Sequence, residues 1–172
     1  MMQMLAAGGL PVVTDGERTP DEDNPRGYYE WERIKGLPKE PKLIAEAEGK
    51  VVKVISQLLF ALPPTHSYQI IFMQRALPEV IASQAGMIKR RGTAAPVVGE
   101  AVMMTALRAH LAQVDIWLNQ HPTIPIHRVE HRQLMADPHG TAESIQKFLN
   151  VALDLEAMAQ QVDNRLYRNR SV

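Results

Sequence analysis

Arg75 and Ser83 lie eight positions apart, and their side chains share one kind of chemistry, the binding of a phosphate. A guanidinium offers a planar fork of donors that fits phosphate oxygens, and a serine hydroxyl adds another donor. The pair also admits a structural reading, in which Arg75 meets a surface carboxylate and Ser83 is a small residue under a crossing helix. His127 and His131 are the other pair to weigh. Four apart, they can project from one face of an extended segment, but zinc needs at least one more ligand and the sequence nominates none. There is no cysteine, so thiolate metal sites and disulfides are both excluded.

The elements that must position Arg75 and Ser83 follow from the residues around them. Tyr68 to Met73 is mostly apolar and bulky, with Ile70, Ile71, Phe72 and Met73 consecutive. Such a run suits a strand covered on both faces, as in a parallel sheet. It stops at Arg75. Pro78 and Glu79 then open a helix, proline with its fixed φ in the first turn and the carboxylate at the positive end. Val80, Ile81, Gln84, Ala85 and Ile88 keep a helical stripe until Gly92 ends it after Lys89, Arg90 and Arg91. Arg75 therefore falls at the carboxyl end of a strand, where open α/β sheets bind their ligands.

The remaining chain alternates in the same way. Met1 to Ala7 reads as a helix stopped by Gly8-Gly9, and Leu10 to Glu32 as an acidic, turn-rich loop. A short helical piece spans Leu43 to Ala47. Gly49 to Ser56 is β-branched and predicts a second buried strand. Leu58 to Pro64 is a brief helical turn, and Thr93 to Pro96 a break. Val98 to His121 is the longest helix, with Val102, Leu107, Leu111, Val114, Trp117 and Leu118 on one face. Ile124 to Glu130 predicts a third strand, followed by an Asp137-Pro138 turn and a helix from about Thr141. A last short helix covers Asp154 to Asp163, before a basic end carrying Arg168 and Arg170.

Four stretches, in order, resemble PAPS-dependent sulfotransferases of bacterial type, the enzymes that use 3′-phosphoadenosine 5′-phosphosulfate. Arg75 and Ser83 look like that family's 3′-phosphate motif. Asn24-Pro-Arg-Gly-Tyr-Tyr-Glu30 resembles a segment that folds over the acceptor pocket. Ile126-His-Arg-Val-Glu-His-Arg-Gln-Leu134-Met-Ala-Asp137-Pro138, with Ile145 and Phe148-Leu149, resembles a downstream structural signature of the family. Met1 to Gly9 looks like the helix that follows the family's 5′-phosphosulfate loop. The strand and loop themselves would then precede Met1, in a chain truncated or begun at an internal methionine.

The resemblance implies one α/β domain over residues 1–172, three-layered and of P-loop type, with a mostly parallel sheet whose first strand is missing. It implies transfer of a sulfuryl group from PAPS to a hydroxyl or amine, with no metal and with activity impaired by the absent loop. Arg75 and Ser83 would hold the 3′-phosphate. Glu30 is the candidate base, the alternative being a solvent-facing carboxylate. Lys53 would approach the sulfuryl oxygens, or else point off the sheet edge. The cytosolic family members end the second strand in Lys-Thr-His; here Val54 and Ile55 follow Lys53, so the histidine base is absent. Arg168 or Arg170 would close over the nucleotide, or form a frayed tail. Two other readings stand beside this one: a P-loop nucleotide phosphotransferase, and a non-catalytic remnant or interaction module of the same fold.

With 19 basic and 19 acidic residues the net charge is zero, which argues against a nucleic-acid or membrane-surface binder. Leu58-Leu-Phe-Ala-Leu62 stops at Pro63-Pro64, and Met1 to Val13 lacks a basic leader, so neither a span nor a signal peptide is expected. A cytoplasmic protein acting on a small-molecule or carbohydrate acceptor is the expectation. An uncovered sheet edge left by the missing strand makes self-association possible.

Overall fold

The apolar run after Tyr68 forms strand β1 (Ile70–Gln74), which pairs in parallel with β2 (Ile126–Glu130). The register sets Ile70 against Ile126, Phe72 against Arg128 and Gln74 against Glu130. The structure, a computed structural model, describes residues 1–17, 19–21, 24, 27–91, 99–163 and 165, with only the backbone of Lys89 and Arg91. The expected break at Thr93 to Pro96, the stop at Gly92 and the basic residues Arg168 and Arg170 lie outside the described residues.

Parallel neighbours need a long crossover. Here it is helices α2 (Leu77–Arg91) and α3 (Glu100–Gln120). Side chains alternate along β1 and so meet two cores. Ile71 and Met73 join Val129 of β2 against Met4, Leu5, Leu134, Ala142, Ile145 and Met158. Ile70, Phe72 and Ile126 pack the other way, against Leu59, Val114 and Leu118. The first core is closed by α1 (Met2–Ala7), α4 (His131–Ala136), α5 (Pro138–Leu149) and α6 (Leu155–Gln160). The second is closed by α3 and by a 3-10 helix at Ser56–Ala61. Mixed α/β structure around a small two-stranded parallel sheet is the result.

Local chemistry fixes several boundaries. Asp137 caps α5 by accepting from the Gly140 N–H at 2.9 Å, with Pro138 at the first helical position. That helix thus begins at the Asp-Pro pair rather than near Thr141. Asp154 caps α6 through the Ala157 N–H at 2.9 Å. Gly8 lets α1 and α6 touch: a Cβ there would stand 2.8 Å from Cγ and Sδ of the fully buried Met158.

The segment Gly49 to Ser56, expected as a strand, makes a single parallel bridge, Val51 to Val12. Val51 donates to the Pro11 carbonyl and accepts from Val13, both at 2.8 Å. The ladder goes no further because the next donor, the Asp15 N–H, turns to the Glu30 carbonyl at 3.1 Å, and Ser56 starts a 3-10 helix. Val52 and Val54 instead cover a third core of Trp31, Ile34, Leu37, Leu43, Ile44, Ala47 and Leu58, built on 3-10 helices at Glu32–Gly36 and Pro41–Ala47.

Candidate functional site

Arg75 follows directly on the last residue of β1, at the carboxyl end of the parallel pair. Its Nε donates to Oε2 of Glu79 at 3.0 Å. Glu79 lies in the first turn of α2, and its side chain is only 5% exposed, against 26% for Arg75. A carboxylate so buried is costly unless paired, and this one is paired both with the guanidinium and with the positive end of α2. Arg75 thus pairs with an interior carboxylate that helps orient the fork.

Ser83 stands one turn beyond Glu79 on the same face of α2, half-buried, about 6 Å further along the axis. Arg75, Glu79 and Ser83 thus form one line from the strand end into the helix. His131, the first residue of α4, stands at the corresponding end of β2. Its imidazole is held below its ordinary pKa, first by burial and then by the Arg75 guanidinium, with Glu79 opposing and the Met1 amino group reinforcing the shift. At this end of the sheet the Arg75 guanidinium and the buried Glu79 carboxylate offset each other's charge, with the imidazole of His131 beside them.

Glu30 and Lys53 come together elsewhere. Lys53 Nζ donates to Glu30 Oε1 at 2.9 Å and to the Tyr28 carbonyl at 3.1 Å, and it lies 6.0 Å from the centre of the Tyr28 ring. The Glu30 carbonyl is strapped by the Thr14 hydroxyl and the Asp15 N–H, each at 3.1 Å. Tyr28 donates its hydroxyl to the Asp21 carboxylate at 2.6 Å. Between them Tyr29 takes a left-handed φ of 50°, a conformation that costs a bulky residue energy and is held only by the surrounding contacts. The two side chains are partly open to solvent, at 23% and 38% exposure. A carboxylate that can take a proton and an ammonium that can face an anion are in contact here.

The two histidines separate. His127 meets the Ser144 hydroxyl at 3.1 Å and stacks on Phe148, whereas His131 begins a helix. Among the described residues, no group of three or more His, Cys, Asp or Glu is placed to hold a metal ion. Sequence reading missed the Ser56 Oγ to His110 Nε2 contact at 2.7 Å, which joins residues 54 apart. It read Glu79 only as a helix-start carboxylate, although its four-residue spacing from Arg75 was a usable signal for the ion pair. An open depression of about 300 Å³ on α3 is lined by Phe60, Gln113, Ile116, Trp117 and Gln120, none of them a candidate from the sequence.

Among the described residues, no helix is long and apolar enough to cross a membrane. Set against family models, curated proteins and solved structures, the chain gives no match in any of the three comparisons.

Proposed function

We propose that this chain is a sulfotransferase-type domain of three-layer P-loop architecture, which binds PAPS and transfers its sulfuryl group to a hydroxyl or amine. The observation that carries the reading is the line Arg75, Glu79, Ser83: a half-buried guanidinium at the carboxyl end of a parallel strand, oriented by a buried carboxylate, with a hydroxyl one turn further on. Arg75 and Ser83 hold the ribose 3′-phosphate. The helices on both faces of the β1–β2 pair are consistent with the layered fold.

In the transfer, the bond from sulfur to the bridging oxygen of the 5′-phosphosulfate breaks as the acceptor oxygen or nitrogen bonds to sulfur. Adenosine 3′,5′-bisphosphate leaves with the electron pair, and the acceptor proton passes to the Glu30 carboxylate. Lys53 holds Glu30 in place and offers positive charge to the sulfuryl oxygens. The catalysis is of the positioning and electrostatic kind that serves phosphoryl transfer.

Isothermal titration with adenosine 3′,5′-bisphosphate tests the reading. Saturable binding that Arg75→Ala abolishes supports it, and absence of heat at millimolar nucleotide overturns it. Binding without sulfuryl transfer to any phenol, alcohol or amine acceptor would leave the nucleotide site and remove the catalytic claim.

A further inference from the structure

The face of α2 that carries Glu79 and Ser83 continues to Gly86 and Arg90, at spacings of four, three and four. These residues are neighbours on a helix surface. Burial falls along the line, from the buried Glu79 through the half-buried Ser83 and Gly86 to the exposed Arg90. Glycine in a helix interior weakens the helix, so Gly86 calls for a local reason. The reason is geometric. The Arg90 side chain folds back one turn and lays its guanidinium over Gly86. Nη1, Nη2 and Cζ stand 3.3, 3.7 and 3.8 Å from where a Cβ of residue 86 would be. Long side chains on helices lean toward the N-terminus, and here the missing Cβ lets the charged group follow that lean onto the backbone.

We infer that Arg90 is a second phosphate-binding cation, acting with Ser83 on the nucleotide's 3′-phosphate from the side opposite Arg75. This rests on the proposed PAPS site and deepens it. Ser83 and Gly86 differ by about 4.5 Å of helical rise, a separation that one phosphate can span between a hydroxyl and a guanidinium. On this line Glu79, with its Arg75 partner, lies one turn before Ser83, and the Arg90 guanidinium lies over Gly86 in the turn after it. A dianionic 3′-phosphate has a use for both guanidinium charges, whereas a nucleotide with only a 5′-phosphate does not. Arg90 is then the residue that favours 3′-phosphorylated nucleotides over the far commoner adenosine 5′-phosphates.

The test is calorimetry with adenosine 3′,5′-bisphosphate and with adenosine 5′-phosphate, on the wild type, Arg90→Ala, Arg90→Lys and Gly86→Ala. Arg90→Ala is expected to weaken the bisphosphate about tenfold to a hundredfold, the range for a lost charged hydrogen bond, and to leave the monophosphate unchanged. Arg90→Lys keeps the charge but loses the fork, and should fall between. Gly86→Ala asks the guanidinium to move by only a few tenths of an ångström, so it should leave the helix folded and change bisphosphate binding less than Arg90→Ala does. Circular dichroism on each variant establishes that the fold survives. If wild type binds the bisphosphate and Arg75→Ala abolishes it while Arg90→Ala does not alter it, Arg90 has no such role and the underlying reading stands. Equal losses for both nucleotides likewise overturn the 3′-phosphate assignment. No binding by wild type overturns the underlying reading itself.

Discussion

Arg75 Nε stands 3.0 Å from Glu79 Oε2, so a guanidinium at the rim of the sheet is tied to a carboxylate in the first turn of the next helix. The relationship is asymmetric, because Glu79 is buried and Arg75 keeps about a quarter of its side chain in solvent. The carboxylate depends on the guanidinium for compensation, and the guanidinium gains a fixed plane from the carboxylate. A binding fork held in place before its ligand arrives loses less entropy on binding.

Removing the Glu79 charge should be felt in stability. Breaking a buried ion pair on one side costs roughly 3–5 kcal/mol where both charges are enclosed. Because Arg75 is partly hydrated and glutamine keeps an acceptor, Glu79→Gln should cost less, about 1–3 kcal/mol. Urea unfolding measures this, and an unchanged midpoint would mean that the pair holds nothing.

His131 makes stability depend on pH. Its folded pKa lies below its ordinary value near 6.5, with burial the first cause and Arg75 the second. The unfolded chain therefore binds the proton more readily than the folded one. The stability that neutral His131 provides is full above pH 6.5 and declines as pH falls from there toward the folded pKa. Unfolding curves between pH 7.5 and 5 should slope downward in the wild type and less steeply in His131→Gln. Parallel slopes would remove His131 from this role.

Glu30 and Lys53 should separate turnover from nucleotide binding. Glu30→Gln is expected to lower kcat about a hundredfold to ten-thousandfold, the usual contribution of a general base, while the Kd for adenosine 3′,5′-bisphosphate stays put. Lys53→Met removes the ammonium that now stands 2.9 Å from that carboxylate, and should lower kcat as well. A variant with full kcat would show that the contact is structural alone.

Close packing of α1 on α6 gives a purely structural check. Gly8 has an ordinary helical φ, so its role is space and not backbone freedom. Gly8→Ala drives a methyl group into Met158, which has no exposed surface, and should cost about 1–3 kcal/mol of unfolding free energy. A neutral or stabilising result would mean that the methionine swings aside freely.

Much of this architecture was legible because burial on both faces or one face leaves a strong pattern. The run at Ile70–Gln74 and the extents of α2 and α3 were read within a few residues of their bounds. Of the expected α2 stripe, however, only Ile81 is buried, while Gln84, Ala85 and Ile88 are exposed, as is Val102 on α3. Helix α4 was not read, because His-Arg-Gln-Leu-Met-Ala has one buried residue, Leu134, and no side-chain cap to announce it. Gly49 to Ser56 misled in the other direction. Its β-branched residues serve two different cores from extended backbone, and a ladder needs a partner with donors to spare, which Pro11 and Asp15 do not supply. The candidate site was legible as residue types and not as pairs. Glu30 meets Lys53 across 23 positions and Ser56 meets His110 across 54, distances that no local pattern spans. Only the Arg75–Glu79 pair lay close enough to be seen in advance.

The most direct measurement is the heat of binding of adenosine 3′,5′-bisphosphate to the wild-type chain and to Arg75→Ala. The expected result is saturable binding by the wild type and its loss in the variant, with both proteins folded. Undiminished binding by Arg75→Ala, or none by the wild type at millimolar nucleotide, would contradict a phosphate site at the end of β1.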